Sequence, residues 1–198
     1  MSGELWNRAG CDVWGAALDG YASGVRDLGE KRLPELDAWY RAELPGLLAA
    51  REPAYLTRDE LIQVVEWKMR RGVYRARNLL LVESNSEDEV RALSGEAFGL
   101  VPHPTAPIAR LAKLAGVGPA TASAALAAYR PDLYPFFDDV VAALIPDFGK
   151  VDFTLKCYAR YAERLHERSA LLAVGCPGAG WTPDAVARAL WSSSDAKK

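Results

Sequence analysis

The chain has 198 residues, half of them apolar and a quarter charged, with a formal net charge of −2 at pH 7 and six Trp and eight Tyr. That length suffices for one unit with a real core, or for two packed lobes, and the composition is that of a globular protein. The mild acidity lacks the strongly basic balance of many nucleic-acid binders, so a nucleic-acid reading has to rest on a local patch.

In chain order, almost every segment has helical period, and no run of alternating β-branched residues stands out. Two helical stretches are expected over roughly residues 4–25 and 31–50, the second punctuated by Pro34 and Pro45. After Pro53, Thr57-Arg-Asp-Glu60 has the form of a capping box, in which the Thr hydroxyl accepts from the Glu60 amide and the Glu side chain reaches back. It opens a helix to about Arg71, with Leu61, Val65 and Met69 on one face and Gly72 beyond its end. Ser86-Glu-Asp-Glu89 repeats the pattern and opens a helix to about Phe98.

Past Pro102, Pro104 and Pro107, a helix is expected from Ile108 to Leu114, a sharp turn at Gly116-Val-Gly118, and a new helix from Pro119 to Tyr129. Proline suits the first helical position because its missing N–H would have no partner there. A further helix starts at Asp138 or Asp139. The segment 153–172 carries Leu155, Tyr158, Ala162, Leu165 and Leu172 on one stripe, with Lys156, Arg160, Arg164 and Arg168 on a separate basic face. Thr182-Pro183 begins a last helix to about Trp191, and residues 192–198 read as a flexible tail. The expected architecture is therefore all-α, of about nine or ten helices with short connections.

The three cysteines, Cys11, Cys157 and Cys176, are far apart and form no C-x-x-C pair. They predict no disulfide framework and no zinc or iron–sulfur site, hence no metal and no cofactor, and they suggest a reducing intracellular compartment. No signal-peptide pattern opens the chain, and no apolar run is long enough to span a bilayer. His103 and His166 are isolated, and no G-x-S-x-G, Walker or H-E-x-x-H motif occurs.

The most specific string is Leu114-Ala-Gly-Val-Gly-Pro-Ala-Thr-Ala-Ser123, of the form L-x-G-V-G-x-x-T-A between two helices. Glycines permit a tight turn, and the first free amides of the following helix suit a phosphate oxygen. Gly116, Val117, Gly118, Ala120 and Thr121 are the candidate contacts, with Lys113 just before them. A plain turn between packed helices accounts for the same glycines. A second basic segment carries Lys68, Arg70, Arg71, Arg75 and Arg77, interleaved with Trp67 and Tyr74. It reads equally as a phosphate track with stacking platforms or as a solvated helix end whose cations favour the C-terminal dipole.

The hairpin string resembles the helix-hairpin-helix of the DNA glycosylase superfamily that includes endonuclease III and the 3-methyladenine glycosylases, most strongly over residues 108–144, with the hairpin itself at about 108–129. That resemblance implies a compact all-α domain, a monomer, a duplex DNA partner bearing a damaged base, and a functional Asp at the start of the next helix. Asp138 stands 20 residues beyond Gly118, as in the endonuclease III branch. Pro135-Phe-Phe-Asp-Asp-Val-Val141 is also similar to the paired-Asp string of the 3-methyladenine branch, whose second Asp corresponds to Asp139. Both are candidate catalytic carboxylates, and both are candidate helix caps. Tyr134, Phe136, Phe137 and Trp67 are candidate base-pocket residues, with core packing the competing reading. The family's Schiff-base lysine falls on Ala120, and its four-cysteine cluster is absent, so the expected activity is monofunctional. A non-catalytic nucleic-acid-binding module and a protein-interaction scaffold are the alternatives.

Overall fold

The computed structural model describes residues 4–194, and among these every regular element is helical. A short 3₁₀ turn (Leu5–Asn7) leads into α1 (Cys11–Asp19) and α2 (Tyr21–Asp27). Gly20 sits between these two helices, so the single helix expected over this stretch is two. α3 (Leu33–Ala38), a π-helical segment (Trp39–Glu43) and α4 (Leu44–Ala49) make up the next stretch. Pro45 explains the π turn: it has no N–H for the carbonyl four residues back, and the Leu44 amide reaches Trp39 O instead.

α5 (Arg58–Arg70) and α7 (Glu87–Gly99) each begin with the complete capping box read from the sequence. Between them lies α6 (Ala76–Glu83), which sequence periodicity does not announce because its Leu80 and Leu81 are exposed. α8 (Ala106–Leu111), α9 (Pro119–Tyr129), the four-residue α10 (Asp139–Ala142), α11 (Leu155–Gly175) and α12 (Pro183–Ser192) complete the chain. Residues 192–194 of the expected tail are instead tied to α12: Ser192 ends that helix, and the Ser193 and Ser194 amides donate to Ala189, Leu190 and Trp191 carbonyls. Residues 195–198 of that tail lie outside the described residues.

α9 is the hub. Every residue from Ala120 to Ala128 is buried, because the helix is small and apolar all round rather than amphipathic. Its alanines let α4, α5 and α8 approach closely, and the Tyr40 hydroxyl donates to Ala124 O at 2.6 Å. Tyr40 stacks on Trp67 with ring centroids 3.7 Å apart, and the Trp67 indole N–H donates to Asp37. One contiguous core cluster runs from Leu5 to Trp191.

The expectation of no disulfide is overturned: Cys11 and Cys176 are bonded. α1 and α11 both pack on α12, which brings the start of α1 to the end of α11. Sequence spacing carries no trace of that meeting, and only Cys157 is a free, buried thiol. The basic face of α11 is also put to structural use. Arg164 and Arg168 lie over the Trp6 ring, and Arg160 donates to Phe148 O at 2.7 Å. No helix among the described residues is long and apolar enough to cross a membrane.

Candidate functional site

The two glycines between α8 and α9 do different work. Gly116 has φ +73°, and a Cβ there would lie 2.8 Å from Val82 Cγ2 and 2.9 Å from Asn78 O. It is the position at which the turn docks on α6. Asn85 fixes the same turn from both sides, accepting from the Ala115 amide at 2.8 Å and donating to Ala115 O at 3.0 Å. Val117 is buried, and its amide donates to Leu114 O. Gly118 is extended, exposed and free of close neighbours. Only the Gly118–Pro119 edge of this turn is open, and Ala120 and Thr121, two of the candidate contacts, are buried in the first turn of α9.

That edge borders a cavity of about 280 Å³, close to the lower end of small-molecule sites at ~300–1,000 Å³. Four parts of the chain wall it. The end of α5 and the segment after it supply Lys68, Met69, Arg71, Gly72, Val73 and Arg75, with Asn78 from α6. The start of α9 contributes Gly118 to Thr121. Phe136, Phe137, Asp138, Asp139 and Val140 come from the approach to α10, and Phe153 from the approach to α11. The N-terminus of α9 therefore opens on a cavity that also holds two carboxylates and three cationic side chains. A second depression of about 460 Å³, between α4, α7 and the end of α9, has Arg51 on its wall, and that guanidinium is tied to Glu60 at 2.6 Å.

The adjacent aspartates have separate environments. Asp138 is the N-cap of α10, its Oδ1 accepting from the Val140 amide at 2.9 Å. Its Oδ2 pairs with Arg71 Nη2 at 2.9 Å, in a contact where the two side chains are 8% and 5% exposed. Both oxygens are committed. Asp139 is exposed on the cavity wall, and its carboxylate has no hydrogen-bond or ion-pair partner among the described residues. Of the two candidates, the second is free to act on a ligand, and the first holds the element that carries it.

The basic segment divides in the same way. Arg71 is drawn into the core, where its guanidinium lies 4.4 Å from the Trp191 ring centroid and also donates to the Tyr21 hydroxyl. Burial opposes its charge, but Tyr21 and Asp138 outweigh that and raise its pKa. Arg70 turns away to Glu30 and Glu66, each at 2.8 Å. These two contacts take Arg70 and Arg71 out of any exposed phosphate track. Arg75 and Arg77 are exposed, and Arg75 is on the cavity wall. Lys113 is exposed and does not border the cavity.

Lys68 is half-buried in the cavity wall, and its amine makes no hydrogen bond or ion pair among the described residues. Burial lowers its pKa, Arg75 lowers it further, and Asp139 and Asp138 partly offset the shift.

Of the four aromatic candidates, Phe136 and Phe137 line the cavity. Trp67 and Tyr134 do not: Trp67 is under Tyr40, and Tyr134 is buried with its hydroxyl donating to His103 O at 2.9 Å. The sequence reading missed Phe153, which packs edge-on against Phe137 at a centroid distance of 5.2 Å. Its φ of +53° is unusual for a side chain of that size, and such backbone conformations cluster at ligand sites. Its distance along the chain from the Asp pair left no signal. His103 caps α8, accepting from the Ala106 amide at 3.0 Å, and His166 Nε2 is 2.8 Å from Leu133 O. No cluster of His, Cys, Asp and Glu suited to a metal exists among the described residues.

No protein-family model matches the chain, and no curated protein or solved structure matches it.

Proposed function

We propose that the chain is a helix-hairpin-helix DNA glycosylase-like protein that hydrolyses the bond between a base and its sugar, with Asp139 as the working carboxylate. One observation carries the reading: Asp139, exposed and without a hydrogen-bond or ion-pair partner among the described residues, shares a cavity with the first turn of α9 and with Arg75. Enzymes of this chemistry extrude a nucleotide from the duplex into a pocket. Positive charge then develops on the sugar as the bond breaks, and a fixed carboxylate stabilises that charge and orients water. Preorganised electrostatics of this kind are commonly worth ~3–4 kcal/mol per group.

The remaining parts have roles consistent with this. The Gly118–Pro119 edge, the amides at the start of α9 and the dipole of that helix suit a backbone phosphate. Arg75 and Arg77 extend the cationic surface. Phe136, Phe137 and Phe153 offer apolar faces for a base, and the cavity is of a size for one base and part of a sugar. The hairpin position at which the family carries its amine is Ala120, so the hydrolysis itself runs on the carboxylate.

The test is a panel of duplexes carrying single damaged or mismatched bases, scored for abasic sites by alkaline strand cleavage. Release from at least one lesion, lost in Asp139→Asn, is the expected result. No release from any lesion, together with duplex affinity that persists, would favour the non-catalytic nucleic-acid-binding module.

A further inference from the structure

We infer that the depression between α4, α7 and the end of α9 is a binding site for a methylated, quaternary ammonium group. It lies at the far end of α9 from the cavity that holds Asp139, and it is independent of the function proposed for that cavity.

The helix that joins the two cavities sets their polarity. α9 has 11 residues, so its ends are ~16 Å apart. Its first residues border the first cavity, and Tyr129, its last, is on the wall of the second. A helix carries partial positive charge at its N-terminus and partial negative charge at its C-terminus, so the second cavity favours a cation where the first favours an anion. α7 adds to this, because it ends at Gly99 on the same wall. Neither α7 nor α9 has a basic residue in its last turn, whereas α5 has Lys68 and Arg70 there.

The charged side chains agree in sign. Arg51 is on the wall, but it donates to both Glu60 oxygens, at 2.7 and 2.6 Å, and to Tyr55 O at 2.8 Å. Arg130, which follows Tyr129, is closed on Asp132 at 2.8 and 2.6 Å. Each of these cations is cancelled by its own carboxylate. Glu52 is exposed on the wall and makes no hydrogen bond or ion pair among the described residues. It leaves one uncompensated negative charge beside a space of about 460 Å³.

The rest of the wall selects the kind of cation. Tyr129 is half-buried and stacked on Phe98, with ring centroids 4.2 Å apart. Leu48, Pro53 and Ala54 continue the apolar lining. A primary ammonium would surrender its water for few acceptors on such a wall. A quaternary ammonium has no N–H to satisfy, and the face of an aromatic ring attracts it. Two sources carry that group: a free alkylated amine, and a trimethylated lysine side chain on a partner protein.

Titration of the full-length protein with choline, followed by amide NMR, tests this against the alcohol in which carbon replaces the choline nitrogen. Choline is expected to shift the Gly95 and Gly99 amides, to leave Gly118 in place, and to bind about tenfold more tightly than the alcohol. Tyr129→Leu, which keeps the apolar bulk, should weaken choline about tenfold. Glu52→Gln, which breaks no contact among the described residues, should weaken it about threefold and serves if Tyr129→Leu fails to fold. A trimethyllysine peptide separates the sources: binding tighter than choline assigns the group to a partner protein, weaker binding assigns it to a free amine, and both support the site. No choline shift at Gly95 and Gly99, equal affinity for the uncharged alcohol, or undiminished affinity in Glu52→Gln and in a folded Tyr129→Leu overturns the inference.

Discussion

Asp138 and Asp139 are neighbours with opposite duties, and substitutions should separate them. Asp138→Asn leaves the Arg71 guanidinium buried beside a neutral amide. Removing one partner of a buried pair typically costs ~3–5 kcal/mol. Tyr21 and the surrounding rings keep contact with Arg71, so a loss of about 2–4 kcal/mol is expected in urea unfolding. Asp139→Asn breaks no hydrogen bond or ion pair among the described residues, and its effect should stay near the dipole contribution at a helix start, ~0.3–1 kcal/mol. If base release occurs, it should vanish in Asp139→Asn at almost unchanged stability. Equal stability loss in the two variants would contradict this division. From the string Phe136-Phe-Asp-Asp139, the presence of a carboxylate pair at a helix start is legible. Which member caps the helix depends on Arg71, 67 residues away along the chain.

At the scale of elements, the connection between α8 and α9 is the most informative. Its glycines look alike in sequence, but only Gly116 has positive φ and contact with a neighbouring helix. Gly116→Ala combines a strained backbone with an overpacked Cβ and is expected to cost about 2 kcal/mol. The same change at Gly118, where nothing lies within 4 Å, should be far milder. Thermal unfolding of the two variants checks the contrast.

The segment joining α5 to α6 makes a second element-level test. Neutralising a phosphate contact changes the log–log salt slope of DNA affinity by about 0.9. Arg75→Ala with Arg77→Ala should therefore flatten the slope by about one to two units, if both touch phosphate. Arg70→Ala, which breaks contacts to Glu30 and Glu66, should leave the slope unchanged. Fluorescence anisotropy across a salt series reads both.

For the whole molecule, the interior holds several tyrosines whose ionisation burial opposes. Tyr21, Tyr40, Tyr158 and Tyr161 all have raised pKa values, and burial pushes Tyr134 up to about 12. The folded state thus holds these protons more tightly than the unfolded chain, whose tyrosines ionise near pH 10. The linked stability is fully present below pH ~10 and is lost as pH rises through the folded values. Spectrophotometric titration should show these five tyrosines ionising late, together with loss of helical circular dichroism. Smooth titration of all eight tyrosines near pH 10 with the fold intact would contradict the packing.

The all-helical class, both capping boxes, the turn at Gly116–Gly118, the start of α9 at Pro119 and an Asp at the head of α10 are legible in the amino-acid order. Each is a local matter, settled by hydrogen bonds and dihedral preferences within a few residues. Tertiary structure alone decided the Cys11–Cys176 bond, the burial of Arg71 against Asp138, the freedom of Asp139 and the cavity shared by Lys68, Phe153 and the first turn of α9. These depend on helices distant in sequence meeting around α9. Periodicity marks which face of a helix is apolar, but not which partner will cover it or which charged group will be left without one.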